Sequence, residues 1–185
     1  NEIAELVRML LKHGGRDKYN VDHIGYNARL DTIQAAVLLA KFKYIDEFNK
    51  RRRAIAEMYD KGLKGIDGLG LPKNFEQSAM SHEPYHVYHQ YIIRTERRDE
   101  LQTYLKEKGI STMVYYPFPL HKMKVFEGRS IIAGILEEAE KAVTEVLSLP
   151  IEPLLTVEET AHIMRHVKGF FGDDEGQDLC LKNTR

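Results

Sequence analysis

Only one cysteine, Cys180, occurs in the 185 residues, which excludes an intrachain disulfide and favours a reducing compartment. No charge of either sign dominates. Lys and Arg number 27 against 28 Asp and Glu, and a net charge of -1 exerts no long-range pull on nucleic acid or an anionic membrane. Long apolar runs are missing as well: none approaches the length that crosses a bilayer, and the opening NEIAELVRMLLKHGG is acidic and amphipathic, unlike a signal peptide. These absences predict a cytoplasmic protein without nucleic-acid or membrane partners, acting on small molecules or on other proteins. Also absent are internal repeats, a glycine-rich phosphate loop, a nucleophile elbow and zinc-ligand spacing. His82, His86 and His89 cluster in HEPYHVYHQY, but no carboxylate or cysteine completes a ligand set, so no metal is expected. KRRR, from Lys50 to Arg53, lies within an amphipathic helical pattern and reads as a solvated face.

What is present is a globular composition, 43% hydrophobic and 30% charged, with enough chain for one core. Ile3, Leu6, Val7, Leu10 and Leu11 share one helical stripe that Gly14 and Gly15 stop. Asp31, with Gln34 at the capping-box position, predicts the next helix start. Ile33, Val37, Ala40, Tyr44, Phe48, Ile55, Met58 and Tyr59 then carry a helical period to Gly62. One helix over 31–62 is expected, roughly 45 Å long.

From GIDGLGLPKN to SAMSHEP, glycine, proline and polar residues predict a surface loop. In YHVYHQYIIR, Val87, His89, Tyr91 and Ile93 alternate with His86, Tyr88, Gln90 and Ile92, as in a strand with one better-buried face. RRDELQTYLKEKG reads as a helix with Leu101, Tyr104 and Leu105 inward and Gly109 as its stop. ISTMVYY reads as a second strand, ended by Pro117 and Pro119. A helix through Leu136, Ala139, Val143 and Leu147 follows, then one capped by Thr156 with Glu159 and ended by Gly169. The tail GDDEGQDLCLKNTR has no periodicity. This order predicts a small α/β or α+β domain with few strands.

Two stretches carry residues suited to a ligand. In GYNARLDTIQAA, Gly25 permits a tight turn, and Asn27 and Arg29 precede a helix start. Free backbone N–H groups, an amide and a guanidinium there would suit a phosphate. Alternatively, Asn27 satisfies the turn and Arg29 pairs with a surface carboxylate. In VYYPFPLH, Tyr115, Tyr116 and His121 either face a ligand or form a rigid aromatic corner against the core.

Taken together, HGGRDKY, GYNARLDTIQAAVLLAKF, RRRAIAEMY, HVYHQYIIR, RRDELQTYLKEKGI, YYPFPLH and LSLPIEPLLTVEE, in that order, resemble the C-terminal part of the DegT/DnrJ/StrS-type sugar aminotransferases. The resemblance runs from His13 to about Val167. It implies an α/β fold: the small C-terminal domain of an aspartate-aminotransferase-like, pyridoxal-phosphate-dependent enzyme, with a few-stranded sheet flanked by helices and entered by one long helix. Residues 1–30 would be a remnant of the large cofactor domain and an interface loop, 31–62 the linking helix, 63–170 the small domain and 171–185 a flexible tail.

The activity implied is transfer of an amino group, from glutamate, to a nucleotide-linked keto-sugar in a homodimer whose site is shared across the interface. By the same resemblance Asn27 reaches the cofactor phosphate of the neighbouring subunit, while Arg29, Tyr116 and His121 lie on the substrate side. Family members often carry His-Tyr where Tyr115-Tyr116 stand here. In the family, the lysine that anchors the cofactor as a Schiff base, the acidic partner of the pyridine nitrogen and the ring-stacking group lie upstream. No lysine here has that context; Lys12 and Lys18 come nearest in position but stand in other surroundings. No catalytic residue is therefore assigned to this chain, which is expected to be a C-terminal portion inactive alone. The alternative is a non-catalytic dimerisation or regulatory module derived from the family.

Overall fold

A computed structural model describes residues 1–15, 20–72 and 86–172. Lys18, His82, Cys180 and the tail beyond Gly172 lie outside the described residues. The chain divides into two compact units, Asn1–Ile45 and Asp46–Arg185.

In the first unit, α1 spans Glu2–Leu10 and buries none of its side chains. After it the chain turns through His13 and Gly14, both at positive φ, 66° and 87°. A returning segment then lies along the end of the helix. The amide of Tyr26 donates to the carbonyl of Leu10 at 2.7 Å and that of His13 to Tyr26 at 3.0 Å, while Asp22 and His23 both donate to Gly14 at 3.1 Å. The two passes come so close that a Cβ on Gly25 would stand 2.1 Å from the Gly14 nitrogen, and one on Gly14 would stand 1.7 Å from the His23 carbonyl oxygen. Gly25 is thus required by backbone contact, not by turn geometry, since its φ is not positive.

α2 covers Thr32–Phe42, with Asp31 in the extended N-cap conformation but without the side-chain cap bond expected of it. The single helix anticipated over 31–62 is two helices: α3 begins at Ile45 and ends at Gly62. At the join the Tyr44 amide donates to Lys41, three residues back, at 2.9 Å, so the turn tightens and the four-residue ladder is interrupted. Lys43 keeps right-handed helical angles, φ −61° and ψ −15°, which is why the apolar period passes through the break without a glycine or proline to mark it.

The second unit holds the hydrophobic core. β1, Tyr91–Arg94, pairs antiparallel with β2, Val146–Leu149, placing Tyr91 opposite Leu149 and Ile93 opposite Leu147. Those four side chains are buried on one face. Single bridges widen the sheet at both edges, Gly70 beside Arg94 and Met113 beside Ser148. Against this face pack Ile55, Ala56 and Tyr59 of α3, Leu101 and Leu105 of α4 (Arg98–Glu107), and Ile163, Met164 and Val167 of α6 (Val157–Phe171). α5, Glu137–Glu145, leads straight into β2.

Several sequence expectations change here. The strand expected from His86 starts only at Tyr91; it has one better-buried face, as expected, and that face carries Tyr91 and Ile93. The strand expected in ISTMVYY shrinks to the Met113 bridge, since Pro117 and Pro119, close behind, have no N–H to extend a ladder. Leu147 belongs to a strand and not to a helix: α5 stops at Glu145, and Arg94 draws that residue toward β1. The Thr156–Glu159 capping box forms as expected. α6 nevertheless runs through Gly169 and ends at Gly172, φ 78°.

Candidate functional site

Asn27 and Arg29 sit on the segment that returns past α1, fixed by the Lys12–Asn27 bridge and by the Ala28 amide donating to Leu11 at 3.3 Å. Both side chains are exposed. The Arg29 Nε donates to the Asn27 Oδ1 at 3.3 Å. This bond occupies the amide's acceptor and leaves its nitrogen, together with the Arg29 Nη groups, as donors without a partner among the described residues. The helix start itself lies further on, at Thr32, and already carries Asp31. The side-chain donors, rather than the helix dipole, therefore make this patch fit a phosphate.

Tyr116 and His121 belong to the second unit. Tyr116 is 70% exposed, with its ring 5.8 Å from that of Tyr115, across a cis peptide bond. Phe118 and Leu120 are exposed beside them, so YYPFPLH is not a corner packed into the core. His121 and Lys122 form a short 3-10 turn, Leu120–Lys122, after Pro119. The His121 Nε2 lies 2.9 Å from Glu140 Oε1, and the Lys122 Nζ donates to Glu140 Oε2 at 2.5 Å. Lys122 first, and His121 second, hold the Glu140 carboxyl below the ordinary carboxylate value. Sequence reasoning missed Glu140, because no local pattern ties a residue of α5 to a turn nineteen residues earlier.

Other polar side chains brace the core. Tyr59 donates to the Pro150 carbonyl and Tyr91 to Asp60 Oδ1, each at 2.7 Å. Arg94 donates through Nε and Nη2 to Glu145 at 3.1 and 2.7 Å, tying β1 to the end of α5. Arg51 pairs with Glu47 on an exposed face of α3, but Arg52 and Arg53 of the same basic run are half-buried and the Arg52 Nε is buried without a hydrogen-bond partner among the described residues, so only part of the run is the solvated face expected. Among the described residues no three His, Cys, Asp or Glu side chains are grouped to hold a metal ion.

The family model for DegT/DnrJ/EryC1/StrS aminotransferases matches residues 1–168. This chain belongs to that family. The family depends on pyridoxal phosphate, and the fold expected from the sequence, part of a pyridoxal-phosphate-dependent transferase, is the one found. The chain is 43% identical over 173 residues to the "Pleiotropic regulatory protein" of Geobacillus stearothermophilus, covering 92% of this chain and 45% of that protein. It is 41% identical over 167 residues to the dTDP-3-amino-3,4,6-trideoxy-alpha-D-glucose transaminase of Streptomyces venezuelae, covering 90% and 42%. Among solved structures it is similar to S. venezuelae DesV in complex with ketimine intermediate, at 40% identity and a TM-score of 0.78, over 92% of this chain and 44% of that one. The aminotransferase-family chain thus spans less than half the length of these relatives. No described helix is long and apolar enough to cross a membrane.

Proposed function

We propose that this chain supplies the C-terminal portion of a cytoplasmic, pyridoxal-phosphate-dependent aminotransferase that moves an amino group from glutamate to a nucleotide-linked keto-sugar. The enzyme works as a homodimer whose site is shared across the interface. The observation that carries the reading is the paired Asn27 and Arg29, which present donors alone within a segment matched by the family model. Asn27 would hold the phosphate through its amide nitrogen, with Arg29 fixing that amide's orientation and facing the substrate side. Tyr116 offers an exposed phenol and His121 a ring nitrogen to the sugar. The cofactor supplies the electron sink that amino transfer needs. The lysine that anchors it is supplied from outside this chain, so this chain's part is binding and orientation, and residues 63–170 act as the small domain.

The test compares Asn27→Ala with Asn27→Asp in a protein that also carries the anchoring lysine. A hydrogen bond to a charged group contributes about 1.5–3 kcal/mol, so Ala weakens cofactor retention roughly ten- to a hundredfold. Asp places a carboxylate against a phosphate and is the worse of the two. A turn-forming role gives the opposite order, because Asp tolerates the same turn as Asn. An Asp variant that retains cofactor like the parent, measured by titration, removes Asn27 from the site. A second reading, a regulatory module without chemistry, draws on the name of the Geobacillus relative. It predicts no cofactor retention even in the parent.

A further inference from the structure

The turn at His121 is held by one carboxylate from a different element. Glu140 of α5 meets His121 through one oxygen and Lys122 through the other. A carboxylate only accepts, so in the neutral imidazole the proton resides on Nε2, and Nδ1 becomes an acceptor. Nδ1 has no partner among the described residues. The His121 side chain is 14% exposed, so the ring is largely enclosed. Glu140 and Lys122 are 41% and 56% exposed, and ion pairs so placed contribute little to stability. A role confined to stapling the loop therefore explains the arrangement poorly. What the arrangement does accomplish is to decide which ring nitrogen carries the proton and which is left as an acceptor.

We propose that Glu140 is a positioning residue: it holds His121 with Nε2 protonated, so that Nδ1 accepts a hydrogen bond from a hydroxyl of the sugar substrate. The inference rests on the placement of His121 at the substrate side given above. The ligand chemistry it selects is an O–H donor next to the reacting carbonyl's ring. Because Lys122 neutralises Glu140 from its other side, the carboxylate brings no uncompensated negative charge toward a phosphorylated sugar.

Two measurements test it. In the 15N-labelled chain, above the pH range where imidazole titrates, the His121 Nε2 proton is expected to be observable and protected from exchange; His121→Ala assigns the signal. Glu140→Gln, whose amide oxygen still accepts, retains the signal, and Glu140→Ala, checked for folding by thermal melting, loses it. Persistence of the protected proton in Glu140→Ala overturns the proposal. In a protein that also carries the anchoring lysine, Glu140→Ala is expected to raise KM for the keto-sugar about tenfold with the glutamate half-reaction unchanged. Glu140→Gln restores the parent KM, and Glu140→Ala adds nothing when His121 is already Ala. If His121→Ala leaves the sugar KM unchanged, the placement of His121 is wrong. If His121→Ala raises it and Glu140→Ala does not, the positioning role alone is wrong.

Discussion

At the scale of single residues, the glycine that opens the GYNARLD motif acts through backbone contact. The 2.1 Å approach of a Gly25 Cβ to the Gly14 nitrogen involves backbone on both sides, so no flexible side chain can yield to relieve it. Gly25→Ala is expected to separate the returning segment from α1 and to loosen the Asn27–Arg29 pair that follows. The check is amide exchange. Protection of the Tyr26 and His13 amides, which bond across this contact, should disappear in Gly25→Ala. Gly134→Ala, where an added Cβ meets nothing within 4 Å, should change no amide. Retained protection at Tyr26 in the Gly25 variant would refute this role.

At the scale of elements, α3 and β1 are joined by two buried phenols whose rings lie 4.9 Å apart. Burial raises the Tyr59 hydroxyl far above its ordinary value; for Tyr91 burial is again the larger cause, followed by the bond to Asp60. Each phenol is harder to ionise in the folded chain than in the unfolded one. The stability they contribute is therefore fully present below about pH 10, the unfolded value, and is lost as pH rises from there toward the folded values. Melting temperature should fall steeply above about pH 10. Tyr59→Phe should cost about 1 kcal/mol near neutral pH, because the Pro150 carbonyl loses its donor. The same variant should decline less steeply than the parent in alkali, having one phenol fewer to ionise. Parallel alkaline slopes for parent and variant would show that Tyr59 does not control this transition.

At the scale of the whole molecule, the two units differ in what holds them. Among the described residues, the buried hydrophobic residues that form the core lie between Ile55 and Val167. The described residues of the first unit contribute none, and on α2 Ile33, Leu39 and Phe42 are 80%, 75% and 72% exposed. A helix of eleven residues without a packed face is marginal in water. Hydrogen exchange followed by mass spectrometry should show α2 exchanging far faster than α4, β1, β2 and α6 in the chain by itself. The exposed apolar residues should also bind a hydrophobic dye. Protection of α2 equal to that of α4 would contradict this division.

The sequence by itself determined what depends on near neighbours along the chain. The inward set Leu101 and Leu105, the stop at Gly109, the capping box of Thr156 and Glu159, and the two-residue alternation through Tyr91 and Ile93 all follow from local periods and caps. Family membership was legible too, in the order of motifs from HGGRDKY to LSLPIEPLLTVEE. Tertiary structure decided what depends on a partner far away in sequence. Strand limits are set by pairing, so β1 begins only where β2 lies opposite, and Leu147, which continues a helical period from Leu136, becomes a strand residue because Tyr91–Arg94 supplies its ladder. The break at Lys43 and Tyr44 left no mark in the sequence because Lys43 keeps helical angles and neither a glycine nor a proline stands there. Glu140 was invisible for the same physical reason as β2: a carboxylate on an exposed helix face acquires its role only when the fold brings a histidine nineteen residues away within 2.9 Å of it.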